Sequence, residues 1–167
     1  METTFKAKMT DVTAITTFMF GGNAILTLRS VKTGVYYTYK IKKGKNYHFV
    51  SVLNGPDNTS NYTYLGTIFD CKSFRITKKS AVGANAPSMI AFDWAFRSIM
   101  GKKIVPSSLE VWHEGRCGRC GRLLTVVESI ATGFGPECSE IIGVKRVNTS
   151  PVDIRGYLLK GLVPYLS

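Results

Sequence analysis

Apolar and polar residues alternate along much of the first half of the chain, from Asn23 to Thr77. A period of two is the pattern of a β-strand that buries one of its faces. Short polar segments such as 32–34 and 43–46 interrupt the alternation, as turns do. We therefore predict five consecutive antiparallel strands, which lie at residues 23–29, 35–42, 47–53, 62–69 and 73–77. Strands joined in this way form a small sheet or barrel. An oligonucleotide-binding barrel is one member of that class, and the pattern alone does not select it.

Three other segments have the period of a helix. The clearest begins at Pro87 or Ser88 and continues to Met100, and its apolar stripe is expected to pack on the sheet. Asp11 can cap a second helix over residues 12–20, although that stretch would equally suit a strand. A third, amphipathic helix over residues 153–163 is expected to dock on the body of the protein.

The second half of the chain contains a candidate metal site. Cys117 and Cys120 stand three residues apart with glycines beside them, which allows a tight turn to direct two thiolates at one ion. Cys138 follows a Gly-Phe-Gly-Pro segment and falls in the first turn of a short predicted helix, where the helix dipole favours a thiolate. His113 is the nearest candidate for the fourth ligand. The predicted site is therefore Zn²⁺ held by His113, Cys117, Cys120 and Cys138.

Other interpretations of these residues stay open. The fourth ligand has four substitutes, which are Glu114, Glu137, His48 and Cys71. The paired cysteines would also suit a redox pair, a disulfide or simple burial, but no βαβ unit of the kind that carries a redox pair is visible. A catalytic zinc deaminase site would need a His-x-Glu motif upstream, and the only His-Glu here is His113-Glu114, which lacks the intervening residue.

These elements predict an α+β protein, with a small antiparallel β-sheet or barrel, one packing helix and a zinc-stabilised β-hairpin and helix module. We divide it into an antiparallel β domain (1–85), a packing helix and connector (86–108), a zinc-binding module (109–148) that begins with a strand at 109–112, and a C-terminal docking helix or tail (149–167). The boundary near residue 85 follows from the flexible composition of residues 78–86.

The cysteine motif also resembles a known type of sequence. Cys117-Gly-Arg-Cys120-Gly-Arg-Leu-Leu-Thr125, followed by Glu128-Ser129 and by Gly133-Phe-Gly-Pro-Glu-Cys138, resembles a small, poorly characterised zinc-knuckle family that occurs mostly in bacteriophage and bacterial proteins. The resemblance covers only residues 113–140. It implies a phage-type origin and a zinc-binding module attached to something else.

The net charge of +11 and the pI near 9.6 indicate a polyanionic partner. Residues 1–85 hold twelve Lys or Arg against four acids, a surplus of +8, whereas residues 86–167 hold ten against seven, a surplus of +3. Many small proteins are basic for solubility alone, which is the alternative explanation. The charge therefore favours nucleic acid as the partner, and the more basic half is the one without the zinc site.

We predict a surface that binds nucleic acid on the β-sheet and beside the zinc turn. Basic groups follow phosphates while aromatic rings stack on bases when single strands are bound without sequence recognition. The candidates are one tyrosine of the second strand, the four lysines around the turn that follows it, and the three arginines that recur every third residue beside the cysteines. They are Tyr36, Lys40, Lys42, Lys43, Lys45, Arg116, Arg119 and Arg122.

The function that follows is a phage-type protein that binds nucleic acid, single-stranded DNA or RNA rather than duplex, without being an enzyme. The acid, base and nucleophile that a catalytic site needs are hard to find in this sequence. A zinc-dependent hydrolase or deaminase is one alternative. The other is an inhibitor that binds a host nucleic-acid-processing or defence protein. Neither a membrane span nor a secretory leader is visible, so we expect a cytoplasmic protein, in the host cell if a phage encodes it.

Overall fold

A computed structural model of the protein describes residues 6–56 and 61–144. Its centre is a seven-stranded antiparallel sheet with the order β1-β7-β2-β3-β4-β5-β6. The strands are β1 (Ala7–Met9), β2 (Asn23–Ser30), β3 (Tyr36–Lys43), β4 (Tyr47–Leu53), β5 (Tyr62–Phe69), β6 (Ser73–Arg75) and β7 (Leu109–His113). The α+β fold class is confirmed, and the sheet is open, because β1 and β6 form its two edges.

Five of the strands match the alternating segments of the sequence, and β7 matches the strand predicted at 109–112. Two differences, the presence of β1 and the position of β7, have physical causes. β1 is a three-residue edge strand, too short for its alternation to be recognised. β7 enters the sheet between β1 and β2, where it pairs His113 with Leu26 on one side and with Ala7 on the other. A strand that lies between two neighbours far away in the sequence is set by tertiary packing, which local periodicity does not report.

The helices are α1 (Val12–Met19), α2 (Pro87–Phe96), α3 (Val127–Thr132) and α4 (Pro136–Ile142). The Asp11 side chain accepts a hydrogen bond of 2.8 Å from the Ala14 amide, which caps α1 and favours the helix over the alternative strand. α2 continues through a single π-type turn, Arg97–Gly101, before the chain leaves it. No helix in the described ranges is long and apolar enough to cross a membrane.

One face of the sheet and the helices enclose the hydrophobic core. The ring of Phe92 on α2 lies 5.0 Å from that of Tyr39 on β3 and 4.7 Å from that of Phe74 on β6, measured between centroids. Tyr39 is fully buried, and its hydroxyl donates a 2.7 Å hydrogen bond to the Ser88 carbonyl. Cys117, Leu124, Ile130, Phe134 and Cys138 belong to the same core cluster.

The opposite face of the sheet, here called the open face, carries the alternate residues of each strand. Ile25 and Trp112 on this face are buried yet lie outside the core cluster. None of the helices in the described ranges contributes its buried side chains to this face. Its central part is formed by Tyr36, Lys40, Lys42, Phe49, Tyr62 and Tyr64.

The division into four domains stays a prediction, but the structure relates two of its parts closely. Leu109–His113, the first segment assigned to the zinc-binding module, is an interior strand of the sheet. The cysteine region also shares the core with the sheet and with α1. The predicted C-terminal helix over residues 153–163 lies outside the described residues.

Replacement of Phe92 by Ala should lower the free energy of unfolding by about 3–5 kcal/mol, because a buried ring that touches three other rings would leave a cavity. Ile90 on the same helix is 55% exposed, so Ile90→Ala should stay within about 0.5 kcal/mol of the parent. Urea unfolding of both variants measures the difference. Equal losses would contradict the assignment of Phe92 to the core.

Candidate metal centre

Three cysteines from two segments come together at one end of the sheet. The sulfur atoms of Cys117, Cys120 and Cys138 lie within 4.8 Å of one another. An ion with metal–sulfur bonds of about 2.3 Å holds tetrahedral sulfurs about 3.8 Å apart. The three sulfurs would therefore have to move only slightly to bind one ion together. Cys117 and Cys138 are buried, whereas Cys120 is exposed, and all of the cysteines are free thiols. The cluster could therefore hold a metal ion.

Backbone amides are directed at the sulfur of Cys117. The amide nitrogens of Arg119 and Gly135 lie 3.5 Å and 3.4 Å from it. Burial acts to raise the pKa of this thiol, but hydrogen bonds from the amides of Cys120, Gly135 and Arg119 outweigh burial and hold the pKa below its ordinary value. The turn is thus arranged to stabilise a thiolate at this position.

The electrostatics of Cys120 are different. Burial raises the pKa of its thiol, and the nearby sulfurs of Cys117 and Cys138 raise it further, against the opposing effect of the Arg122 amide. Thiols this close resist ionising together because the negative charges repel one another. A bound cation would remove that repulsion, so the cluster is better suited to three thiolates around an ion than to three thiolates alone.

The cysteine turn is fixed to the start of β2 by direct backbone contact. The Asn23 amide donates to the Gly118 carbonyl at 2.8 Å, and the Asn23 side-chain amide donates to the Arg119 carbonyl at 2.8 Å. Glycine is required at Gly21 for this contact, and at Gly118 for the packing of the turn on α1. A β-carbon at Gly21 would lie 2.7 Å from the Gly118 carbonyl oxygen, and one at Gly118 would lie 2.7 Å from the Phe18 ring. The sheet therefore determines where Cys117 and Cys120 lie.

His113, the predicted fourth ligand, occupies a different role in the structure. Its Nε2 donates a 2.6 Å hydrogen bond to the Ile130 carbonyl, and its Nδ1 accepts one of 3.1 Å from the Gly115 amide. This arrangement needs the neutral tautomer with the proton on Nε2. Both ring nitrogens are engaged by backbone groups, and the structure does not bring His113 into the group of sulfurs. The ring instead ties the end of β7 to α3.

The substitutes for the fourth ligand also lie outside that group. The Glu114 carboxylate is buried and lies 3.4 Å from the Lys6 ammonium, and burial raises its pKa against the opposing effect of Lys6. His48 is buried against the Phe20 ring, at 4.9 Å between centroids. Cys71 lies in the turn between β5 and β6. Glu137 is exposed and lines a cavity together with Cys120 and Cys138.

The two predicted groups of basic residues meet at the same end of the sheet. Lys43 and Lys45 stand at the turn between β3 and β4, and the Lys43 amide donates to the Gly22 carbonyl at 2.9 Å. Gly22 in turn packs against the backbone of Arg119. We call this region the basic end, and its members are Lys42, Lys43, Lys45, Arg116, Arg119 and Arg122. Arg116 is half-buried and donates to the Gly121 carbonyl at 3.3 Å, so it also supports the turn.

Tyr36, Lys40 and Lys42 project from the open face of β3, and the structure adds an aromatic residue that the sequence analysis did not select. Phe49 on β4 is paired with Lys42, is 40% exposed and has its ring 6.4 Å from that of Tyr64. The Lys40 ammonium lies 5.6 Å from the centre of the Tyr62 ring. The alternation of β4 places Phe49 opposite to its buried residues, which is the signal that could have identified it.

The fold and the cysteine cluster define an α+β protein with an open antiparallel sheet and a site that could hold zinc. Residues 109–143, from β7 to the end of α4, match the model of a family of unknown function, DUF6011. This match supports the resemblance noted above only as far as a family of unknown function, and it says nothing of zinc or of phage origin. No curated protein and no solved structure matches the chain.

Replacement of Gly118 by Ala should destabilise the protein by about 1–3 kcal/mol, because the added methyl group meets the buried Phe18 ring. Gly135 has no atom within 4 Å of an added β-carbon, so Gly135→Ala is the matched control and should cost much less. Thermal and urea unfolding measure both. A harmless Gly118→Ala would show that the turn does not pack on α1 as described.

Burial of the neutral His113 ring should make stability depend on pH. Burial lowers its pKa from 6.5 to about 4, against the opposing effect of the Ile130 hydrogen bond. The unfolded chain binds the proton more tightly, so the contribution of the neutral ring is complete above pH 6.5 and falls by up to about 3 kcal/mol as the pH drops toward 4.

The ring itself reports this titration by nitrogen-detected NMR. The His113 signals should keep the neutral Nε2–H tautomer down to about pH 4 in the folded protein. A ring that titrates near pH 6.5 would contradict its burial.

Proposed function

We propose that this protein binds single-stranded nucleic acid across the open face and the basic end, and that its three clustered cysteines hold Zn²⁺. The observation that supports this best is the composition of the open face. β3 contributes Tyr36, Lys40 and Lys42 to this face, and β4 and β5 add the rings of Phe49, Tyr62 and Tyr64, all on the side of the sheet opposite to the core.

The aromatic residues of this face are accessible in a way that core residues are not. Tyr36 is 62% exposed, and Tyr47 and Phe49 are about 40% exposed, at 42% and 40%. A large ring that is exposed on a sheet can stack on an unpaired base, because its face is not covered by the protein. Stacking of this kind tolerates any base, because every base has a π-face, and so it suits binding without sequence recognition.

The charge of the open face suits the phosphate backbone. Two of its cations are paired, Arg29 with Glu110 at 2.9 Å and Lys6 with Glu114 at 3.4 Å. Lys42 and Arg75, by contrast, have no carboxylate partner within the described ranges. Lys42 is also paired across strands with Asn23, which contacts the backbone of Arg119. A nucleic-acid strand that crosses the rings can therefore continue onto the basic end.

The metal supports this interface by fixing the turn that carries three arginines. Thiolates are soft ligands, and a Cys-x-x-Cys turn with a distant third cysteine favours Zn²⁺ over the hard cations Mg²⁺ and Ca²⁺. The guanidinium of Arg119 lies 3.6 Å from the Cys138 sulfur. Ordering of the sulfurs by an ion would thus also order this side chain.

Fluorescence anisotropy with labelled oligonucleotides tests the proposal. Single strands should bind more tightly than duplexes, because only unpaired bases can reach the rings. Tyr36→Ala and Phe49→Ala should each weaken single-strand binding by about 1–3 kcal/mol, whereas Tyr36→Phe keeps the stacking surface and should bind like the parent. Lys40→Gln and Lys42→Gln should each reduce the slope of log K against log salt by about 0.7.

Lys102→Gln is the control for the lysine variants, because Lys102 is exposed just after the π-type turn and belongs neither to the open face nor to the basic end. It should leave the salt slope nearly unchanged. Absence of binding to single and double strands at low salt would overturn the proposal. Equal effects of Tyr36→Ala and Tyr36→Phe would exclude stacking as the mode of binding.

A further inference from the structure

We infer that an ion at the three cysteines keeps one coordination position that no other cysteine or histidine of this chain fills, and that this position takes an anionic monodentate ligand from the adjoining cavity. The inference rests on the metal-binding part of the proposed function and is independent of nucleic-acid binding. It changes the site from a closed structural centre to one that can exchange a ligand.

The first step is elimination of the nitrogen and sulfur donors. The whole chain has four cysteines and two histidines, and all six residues lie in the described ranges. Three cysteines form the cluster, and Cys71, His48 and His113 do not belong to it. His113 in addition uses both ring nitrogens for backbone hydrogen bonds. A zinc ion with four tetrahedral positions therefore has one left for an oxygen donor or for an external ligand.

The second step is access to that position. A cavity of about 370 Å³ adjoins the cluster and is lined by Cys120 and Cys138. Cys117 does not line the cavity and is completely buried. Two of the three cysteines thus line the cavity while the third is buried away from it, so the cavity is the side from which an external ligand can reach the ion. The mouth of the cavity is accessible, because Cys120 and Glu137 are both exposed.

The third step is the chemistry of the wall. Three thiolates and one Zn²⁺ give a net charge of −3 + 2 = −1, so a fourth anionic ligand needs nearby cations. Arg119 and Arg122 supply them on the same wall, and Arg119 already contacts the Cys138 sulfur at 3.6 Å. Leu123, Val126 and Ile141 give the rest of the wall an apolar surface. The cavity therefore fits a small anionic ligand with an apolar body, attached to the ion through a single donor atom.

Among the residues that the structure describes, Glu137 is the main competitor for this position. Its carboxylate is exposed, lines the same cavity and precedes Cys138 directly. An oxygen ligand from this side chain would close the site, so any test has to include Glu137→Gln.

Cobalt substitution of the full-length protein, with azide as the probe, tests the open position. One Co²⁺ per chain should bind with the charge-transfer intensity of three thiolates, and azide should shift the visible ligand-field bands in a saturable way. Perchlorate at the same ionic strength should leave them unchanged. Arg122→Gln should weaken azide binding by roughly two- to fivefold, whereas Arg97→Gln, which removes an arginine from the exposed surface of the π-type turn, should not.

The outcomes separate this inference from the proposed function. If azide does not shift the Co²⁺ bands of the parent protein, the inference is wrong although the metal site is supported. If azide shifts them only in Glu137→Gln, Glu137 is the ligand that closes the site in the parent. A band intensity typical of four thiolates overturns it as well. Failure to bind Co²⁺ removes both the inference and the metal part of the proposed function, and anisotropy still decides nucleic-acid binding separately.

Discussion

The close contact between the cysteine turn and the start of β2 is the constraint on which the site depends. Gly21 allows the two backbones to approach, because a β-carbon there would lie 2.7 Å from the Gly118 carbonyl oxygen, and Gly118 leaves room for the Phe18 ring of α1. Hydrogen bonds from Asn23 then hold the turn at the end of the sheet. Cys138 lies on α4, next to this turn, so its sulfur lies close to those of Cys117 and Cys120. Without this contact the cysteines would belong to a loop whose position the sheet does not set.

The two faces of the sheet differ in burial, and each difference has a consequence. Residues of one register, among them Leu26, Tyr39 and Val50, are buried against the helices and supply the hydrophobic stabilisation. Residues of the other register include Tyr36, Lys42 and Phe49, which stay accessible. Since a strand exposes one set of side chains when it buries the other, formation of the core also creates the proposed binding surface.

The cysteine region is part of the same structural unit as the sheet. His113 ends an interior strand, and its ring connects that strand to α3 through the Ile130 carbonyl. Cys117 and Phe134 are buried with residues of the sheet and of α1. The arrangement of the cysteines is therefore coupled to the folding of the sheet through shared packing.

The sequence by itself determined what depends on local pattern. Alternation located five strands, the spacing at 87–100 located the main helix, and the glycines beside Cys117 and Cys120 indicated the turn. It could not determine which strand enters between β1 and β2, nor that His113 would satisfy backbone groups rather than accompany the sulfurs. It also could not show that the lysines of one turn and the arginines of another meet at one end of the sheet. The first and the last of these relations join residues far apart in the sequence, such as Ala7 with His113 and Gly22 with Arg119. Only the packing of one element on another decides all three, because local propensity and period carry no information about tertiary partners.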